Sequence, residues 1–172
     1  MEQQVILVDE QDIAVGSMEK MEAHEKALLH RAFSVFIFNN KNQMLLQRRA
    51  LHKYHSGGLW TNACCSHPMP GETTDAGANR RLSEELGFTT PLEKMFTFTY
   101  RTEFGNGLTE NEIDHVYTGN YNGEINLNPA EVSEYCFKSR EEIKEAMRND
   151  PAQFTSWFHI AFPMVENWME KE

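Results

Sequence analysis

The sequence predicts a mixed α/β fold, and three local patterns carry that prediction. Short apolar runs rich in Val, Ile and Phe indicate strands. Residues 94–103 alternate apolar and polar side chains, as a half-buried strand does. Residues 74–87 begin with a threonine and end in a glycine, as capped helices do. Strands mixed with a few helices indicate the α/β class.

The first strands are predicted from the apolar runs at residues 5–8, 33–38 and 43–46. The last two runs are joined by residues 39–42, whose sequence Asn-Asn-Lys-Asn favours a turn. Further along, the aromatic residues of 94–103 share one face, because side chains alternate along a strand.

A hairpin is expected at the end of that alternating strand. Residues 105–107, Gly-Asn-Gly, are typical of a hairpin tip, and another strand is predicted at about residues 110–120.

Three helices are predicted from end signals and apolar spacing. The first has Thr74 as its N-cap and Gly87 at the left-handed position after its last turn. The second opens at Ser139 with a glutamate three positions on, which is a capping-box pattern. The third covers about 155–170, and Pro163 is expected to kink or interrupt it.

Composition limits the class of protein. Without repeats or a flexible linker, residues 1–172 are expected to form one domain. The net charge of −10 disfavours a non-specific nucleic-acid binder, and an anionic ligand would need a local cluster of cations such as Arg48, Arg49, His52 and Lys53. No apolar stretch is long enough to cross a membrane, and three cysteines indicate reduced thiols in the cytoplasm.

Two short segments could carry chemistry. In an extended chain Cys65 and His67 share a face while Cys64 points away, although free cysteines are most often small buried hydrophobes. Glu110, Glu112 and Asp114 would likewise share one face of a strand. That carboxylate face is either solvated or holds a cation.

Other candidates are weaker when taken alone. His24 and His30 could bind one ion only if the chain bends between them, because six residues place them far apart around a helix. The pairs Arg80–Glu84 and Arg81–Glu85 have the spacing of ordinary helix-surface ion pairs. The aromatic Tyr100 and Trp157 are either core residues or rings available to a cation.

Taken together, five segments make the chain resemble type 1 isopentenyl-diphosphate isomerases, in the order in which that family has them. These are His-Arg-Ala-Phe-Ser-Val-Phe from His30, Leu-Gln-Arg-Arg-Ala from Leu46, Trp-Thr-Asn-Ala-Cys-Cys-Ser-His-Pro from Trp60, Arg-Arg-Leu-Ser-Glu-Glu-Leu-Gly from Arg80, and Glu-Asn-Glu-Ile-Asp from Glu110.

The resemblance implies a Nudix-like α/β sandwich around a mixed sheet. Ser66, Glu72 and residues 80–88 form a degenerate Nudix box, in which Ser66 replaces the opening glycine and Arg81 replaces a glutamate. A Nudix hydrolase would lose a metal ligand at Arg81.

The resemblance also implies roles for individual residues. Cys65 and Glu112 would be the catalytic pair, with Tyr100 and Trp157 near the hydrocarbon. Lys20, Arg49, Lys53 and Arg81 would contact the diphosphate. One divalent metal, Mg²⁺, Mn²⁺ or Zn²⁺, would be held by His24, His30, His67, Glu110 and Glu112. A Mg²⁺ shared with the diphosphate would be bound by Glu85.

The implied partner is a small isoprenoid diphosphate, and we expect a monomer or weak homodimer without nucleic-acid or membrane partners. Three other functions fit parts of the sequence: a Nudix pyrophosphohydrolase, an inactive binding module on the same fold, and a cysteine hydrolase. Arg81 disfavours the first, and the presence of both Cys65 and Glu112 disfavours the second. The two-residue spacing of Cys65 and His67 disfavours the third, because it suits His67 as a metal ligand better than as the base of a cysteine hydrolase.

Overall fold

A computed structural model describes residues 3–172 as strands and helices in a mixed order. The strands are β1 (Gln4–Val8), β2 (Ala14–Glu19), β3 (His30–Phe38), β4 (Met44–Arg49), β5 (Trp60–Thr61), β6 (Cys64–Ser66), β7 (Glu93–Phe104), β8 (Leu108–Asn120) and β9 (Val132–Lys138). The helices are α1 (Lys20–Glu25), α2 (Thr74–Leu86), α3 (Arg140–Asn149), a 3₁₀ turn (Pro151–Gln153) and α4 (Ser156–Glu170).

Strand β3 is the centre of the sheet. It runs parallel to β8 from the pair His30–Glu112 to the pair Phe38–Asn120. It also pairs antiparallel with β1, with β6 and with β4. The sheet is extended by β7 next to β8, by β2 next to β1, and by β5 and β9 next to β4. The described strands therefore form one mixed sheet.

Helices cover both faces of this sheet, so β3 is buried almost throughout. Phe33, Val35 and Ile37 pack in a core cluster with α2, whereas Phe36 and Phe38 pack in a second cluster with α3 and α4. A strand buried on both faces needs a nearly continuous apolar run, which explains its sequence. The predicted α/β class is confirmed.

Most predicted elements are present, with two corrections. Helix α2 is preceded by Thr73, not Thr74, as its N-cap, and the Thr73 side chain makes no capping bond. Gly87 has the expected left-handed backbone (φ 76°), and Ser139 makes the expected capping box. Pro163 does not interrupt α4, because the buried apolar face of that helix continues on both sides of the proline.

Several elements had no sequence signal strong enough to predict them. The first four residues of β2 are exposed, as is much of β9, so neither strand shows a clear apolar alternation. Helix α1 has six residues, which is too short for a helical period to be recognised. Within residues 3–172, no helix has the length and apolar character needed to cross a membrane.

We retain as a proposal that residues 1–172 form one domain. The proposal is supported by the continuity of the sheet, which joins β2 at residues 14–19 to β9 at residues 132–138.

Candidate active site

One cavity is lined by every residue proposed for the site except His24 and His30. These lining residues are Lys20, Arg49, Lys53, Cys65, His67, Arg81, Glu85, Tyr100, Glu110, Glu112 and Trp157. His24 and His30 are fully buried beside His67, with ring centroids 5.8 Å and 5.0 Å from it. The fold therefore brings the predicted residues together from positions far apart in the sequence.

The two adjacent cysteines point in opposite directions, as strand alternation predicts. Cys65 lines the cavity and pairs in register with Ser34. Cys64 is fully buried in the core next to α2, where its thiol donates to Oε2 of Glu85 at 3.0 Å. Burial raises the pKa of Cys65 to about 12, so its sulfur carries a proton at neutral pH.

Asn62 holds the Cys65 thiol in place. The Asn62 amide donates to the backbone carbonyls of Val35 and Cys64, at 2.9 Å and 3.1 Å. Its orientation is thereby settled, and its oxygen accepts from the Thr61 hydroxyl at 2.9 Å and from Cys65 Sγ at 3.1 Å. Asn62 is fully buried, so each of its bonds excludes a competing water.

Three histidines and a glutamate form a group that is compatible with a divalent metal. His24, His30, His67 and Glu112 each offer one ligand atom, and these atoms lie within 4.8 Å of one another. Glu112 Oε2 is 3.1 Å from His30 Nε2 and 2.6 Å from His67 Nε2. Imidazole and carboxylate are donors that suit several divalent metals.

Unsatisfied ring nitrogens also fit a metal at this group. Both nitrogens of His24 and Nδ1 of His67 are buried without a hydrogen-bond partner among residues 3–172. An unpaired buried polar atom is unfavourable, and coordination would relieve it. Burial lowers the pKa of His24 to about 3, which leaves the neutral imidazole that metals bind.

A bend in the chain brings His24 and His30 together. Glu19 caps the start of α1 by accepting from two backbone amides, and His24 lies in the last turn of that helix. The chain then turns through Ala27, whose φ is 55°, and His30 opens β3. The ring centroids of His24 and His30 end 5.1 Å apart. The bend that the sequence left open is therefore present.

The carboxylates of β8 share one face, but their surroundings differ. Burial opposes ionisation of Glu112, yet His67 and His30 hold its pKa well below the usual range. Asp114 lacks such cations, so burial raises its pKa well above the usual range. Its Oδ2 accepts from the Ser34 hydroxyl at 2.7 Å, and that hydroxyl lies 3.5 Å from Cys65 Sγ.

Glu110 lies beside the metal-compatible group and has two partners of its own. Tyr100 donates its hydroxyl to Oε2 of Glu110 at 2.7 Å and also contacts Glu112. His55 Nε2 lies 3.0 Å from Oε1 of Glu110. Glu110 as a metal ligand stays a prediction. The contribution of His55 was not predicted, because a lone histidine in a turn carries no pattern.

Four of the residues that line the cavity are cations, namely Lys20, Arg49, Lys53 and Arg81. An unpredicted carboxylate, Glu131, joins two of them, at 2.5 Å from Lys53 Nζ and 3.4 Å from Arg81 Nη2. The other members of the basic cluster point elsewhere. Arg48 pairs with Glu134, and the ring of His52 bonds the Ala130 carbonyl.

Glu85 is held by three neighbours on the α2 side of the sheet. Besides the Cys64 thiol, the buried Gln47 amide lies 3.2 Å from Glu85 Oε1 and donates to the Ala63 carbonyl at 2.6 Å. Arg81 Nη2 is 3.5 Å from Glu85 Oε2, which confirms the predicted ion-pair spacing. The carboxylate of Glu85 thus has a defined orientation at the cavity wall.

Aromatic rings close the remaining wall. Trp157 is buried and lines the cavity, with the Arg49 guanidinium 5.1 Å above its ring. The His55 ring meets Trp157 edge-on at 5.6 Å. The ring of Trp157 thus already makes a cation–π contact with Arg49.

Comparisons with known proteins show the family of the chain. The NUDIX domain family matches residues 28–158. The chain is 52% identical over 167 residues to the isopentenyl-diphosphate delta-isomerase of Pectobacterium atrosepticum, covering 97% of this chain and 93% of that protein. It is 50% identical to isopentenyl-diphosphate delta-isomerase 2 of Aromatoleum aromaticum, covering 96% and 87% respectively.

Solved structures match in fold. A Deinococcus radiodurans protein superposes with a TM-score of 0.71 at 19% identity, covering 89% of this chain and 92% of its own. The MutT protein of Methanosarcina mazei superposes with a TM-score of 0.67 at 21% identity, covering 83% and 94%.

Proposed function

The chain belongs to the isopentenyl-diphosphate isomerase family, on a NUDIX fold, and from this premise we propose how its residues interconvert isopentenyl and dimethylallyl diphosphate. The chain is an isomerase. Moving the double bond requires one proton to be added to the substrate and another to be removed from a neighbouring carbon. We assign these two transfers to Cys65 and Glu112.

The positions of Cys65 and Glu112 on either side of β3 carry this assignment. Cys65 lies on β6 and pairs with Ser34, whereas Glu112 lies on β8 and pairs with His30 on the other edge of β3. Both line the cavity. A thin hydrocarbon lying across β3 would have a proton donor on one side and a carboxylate on the other, as the reaction requires.

Tyr100 supports Glu112 in this scheme. Its hydroxyl contacts Glu112 and donates to Glu110, and burial raises the pKa of Tyr100 well above its usual range. A phenol that keeps its proton can stabilise either carboxylate while Glu112 changes its protonation state.

Adding a proton to an unactivated double bond places positive charge on a tertiary carbon of the substrate. We propose that the ring of Trp157 stabilises that charge, since an aromatic face attracts cations most strongly where water is excluded. Trp157 is only 3% exposed, and the enclosing wall would keep water from capturing the cation.

The diphosphate is proposed to lie beside the four cations that line the cavity. Lys20, Arg49, Lys53 and Arg81 supply its countercharges, and they bind and position a group that does not itself react. Lys53 and Arg81 are prearranged by their shared contact with Glu131.

The metals are assigned by donor chemistry. We propose a divalent ion, Mg²⁺, Mn²⁺ or Zn²⁺, at His24, His30, His67 and Glu112, with Glu110 as a further ligand. We propose that Glu85 holds a Mg²⁺ shared with the diphosphate. These ions would supply positive charge that orients the substrate and the acidic side chains around it.

We also propose that the protein works in the cytoplasm as a monomer or weak homodimer. An isoprenoid diphosphate would be its ligand, with neither nucleic acid nor membrane as a partner. The formal charge of −10 supports the exclusion of nucleic acid.

The deciding experiment is to incubate the protein with isopentenyl diphosphate and Mg²⁺ and to follow the products by NMR. We expect the dimethylallyl isomer without phosphate release, and complete loss of turnover after chelation that Mg²⁺ or Mn²⁺ reverses. Metal-dependent phosphate release without the isomer would favour a pyrophosphohydrolase instead. Full turnover by verified metal-free protein would refute both metal assignments.

A further inference from the structure

We propose that His55 is a positioning residue for the isomerisation, acting through Glu110 on the Tyr100–Glu112 pair. The inference rests on the proposed function of Glu112 and extends it to a side chain outside the two segments that carry the predicted chemistry. His55 is buried and lines the same cavity. Its Nε2 lies 3.0 Å from Oε1 of Glu110.

The tautomer follows from the partners. A carboxylate oxygen accepts hydrogen bonds, so Nε2 of His55 donates to Oε1 of Glu110. Nδ1 lies 3.3 Å from the Ser56 hydroxyl, which can donate to it. His55 is therefore bonded on both sides of its ring, as a side chain with a fixed orientation should be.

The chain of contacts leads from His55 to the proposed catalytic carboxylate. His55 holds one oxygen of Glu110, and Tyr100 donates to the other at 2.7 Å. The same Tyr100 hydroxyl contacts Glu112. If Glu110 turned, Tyr100 would lose the oxygen to which it donates, and the position of its hydroxyl against Glu112 would change.

The loop before β5 is shaped to deliver His55 to this place. Ser56 and Gly58 have left-handed backbones, with φ of 54° and 78°. A Cβ on Gly57 would lie 2.4 Å from the Leu51 carbonyl oxygen, so only glycine fits there. The Arg49 guanidinium also donates to the His55 carbonyl at 3.2 Å. This loop is thus tied to a cation of the proposed diphosphate site.

His55 also packs, so a purely structural role has to be separated from positioning. Its ring stacks on Phe104 at 4.2 Å and meets Trp157 edge-on. Packing depends on the ring, whereas positioning depends on the Nε2 donor. Two substitutions separate these properties. His55→Phe keeps a ring and loses the donor, and His55→Gln loses the ring but places an amide donor near the position of Nε2.

We expect His55→Phe to lower kcat by about 10- to 100-fold, the usual effect of losing a hydrogen bond that orients a site carboxylate. KM should change less than kcat, because His55 is not among the proposed diphosphate contacts. His55→Gln should recover most of the lost kcat. Equal kcat in His55→Phe and the unmodified protein would overturn the proposal, as would a Gln variant no better than the Phe variant.

A double-mutant cycle tests the route through Glu110. In a Glu110→Gln background, His55→Phe should have little further effect on kcat, whereas additive losses would show that His55 acts by another route. If the Phe variant does not fold by circular dichroism, His55→Asn takes its place, since its shorter amide cannot reach Glu110. Full activity of His55→Asn would then contradict the proposal.

The matched control is His159→Phe on α4. His159 also bonds through Nε2, to the Pro151 carbonyl at 2.7 Å, and it is not among the residues that line the cavity. Its replacement should leave kcat unchanged. If the unmodified protein forms no dimethylallyl isomer, the proposed function itself fails. If the unmodified protein forms the isomer and the His55 variants have the same kcat as that protein, only the His55 inference fails.

Discussion

The thiol of Cys64 donates a hydrogen bond to Oε2 of Glu85 across 3.0 Å, while the adjacent Cys65 faces the cavity. Two neighbouring residues of one type thus have different partners. Cys65 touches the space proposed for the hydrocarbon, and Cys64 touches a carboxylate proposed to hold Mg²⁺. Their substitutions should have different kinetic signatures.

Cys65→Ala should abolish nearly all isomerisation, because general acid–base catalysis contributes about 10²- to 10⁴-fold. The variant should still fold and bind the diphosphate.

Cys64→Ala should keep its maximal rate but need several-fold more Mg²⁺ for half-maximal activity, since Glu85 loses one of its three neighbours. The loss of packing should cost about 1 kcal/mol of stability. An essential Cys64 with a dispensable Cys65 would refute the proposed roles.

His24→Leu should reduce the bound metal without unfolding the protein. Neither ring nitrogen of His24 has a hydrogen-bond partner within residues 3–172, so the substitution breaks no bond of the metal-free fold. We expect at least about a 10-fold loss of metal affinity, measured by metal analysis after dialysis, and a metal-free stability equal to or above that of the parent.

The control for this variant is His115→Leu. His115 Nε2 bonds Asp12 at 2.7 Å, outside the metal-compatible group. The His115→Leu variant should lose stability and keep its metal. Unchanged metal content in His24→Leu would remove His24 from the ligand set.

Trp157→Leu should lower turnover more than substrate binding. A cation–π contact in a desolvated site is worth about 2 kcal/mol, which corresponds to about a 30-fold change in rate. Trp168→Leu is the control, because Trp168 lies on the same helix and packs, partly buried, against the core cluster of α3 and α4. Both variants should melt at lower temperature, but only the Trp157 variant should show the kinetic loss. A folded Trp157→Leu protein with full turnover would contradict the role in stabilising the cation.

Glu72→Gln should destabilise the fold at neutral pH and much less in acid. The Arg80 side chain donates to both oxygens of Glu72, at 2.8 Å and 3.0 Å, and this contact lowers the pKa of Glu72 from its ordinary value. A lowered carboxyl pKa contributes stability that is present above the unfolded value and is lost as the pH falls through the folded value.

Because the Glu72–Arg80 pair is only partly buried, we expect the free energy of unfolding of Glu72→Gln to be about 1 kcal/mol lower than that of the unmodified protein at pH 7. Denaturant unfolding at pH 7 and near pH 3 measures it, with Glu145→Gln, an exposed position on α3, as the control. A difference that persists undiminished in acid would mean that the carboxylate charge is not its source.

The strands and helices that sequence predicted are those with a strong local period or clear end signals. Strand β3 is an apolar run because both of its faces are covered, and α3 carries its capping box in the sequence. Strand β2 and helix α1 escaped prediction because one is largely exposed and the other is short. Local patterns report burial, and elements with little burial leave little pattern.

The sequence by itself determined which side chains share a face. Alternation along a strand placed Cys65 with His67 and Glu110 with Glu112, since the pleat of an extended backbone is independent of its neighbours. Only the tertiary structure decided what those faces meet. The parallel register of β3 and β8 and the bend after α1 unite the histidines with Glu112, and the loop before β5 brings in His55. Such contacts depend on chain closure over long separations, which no local period records.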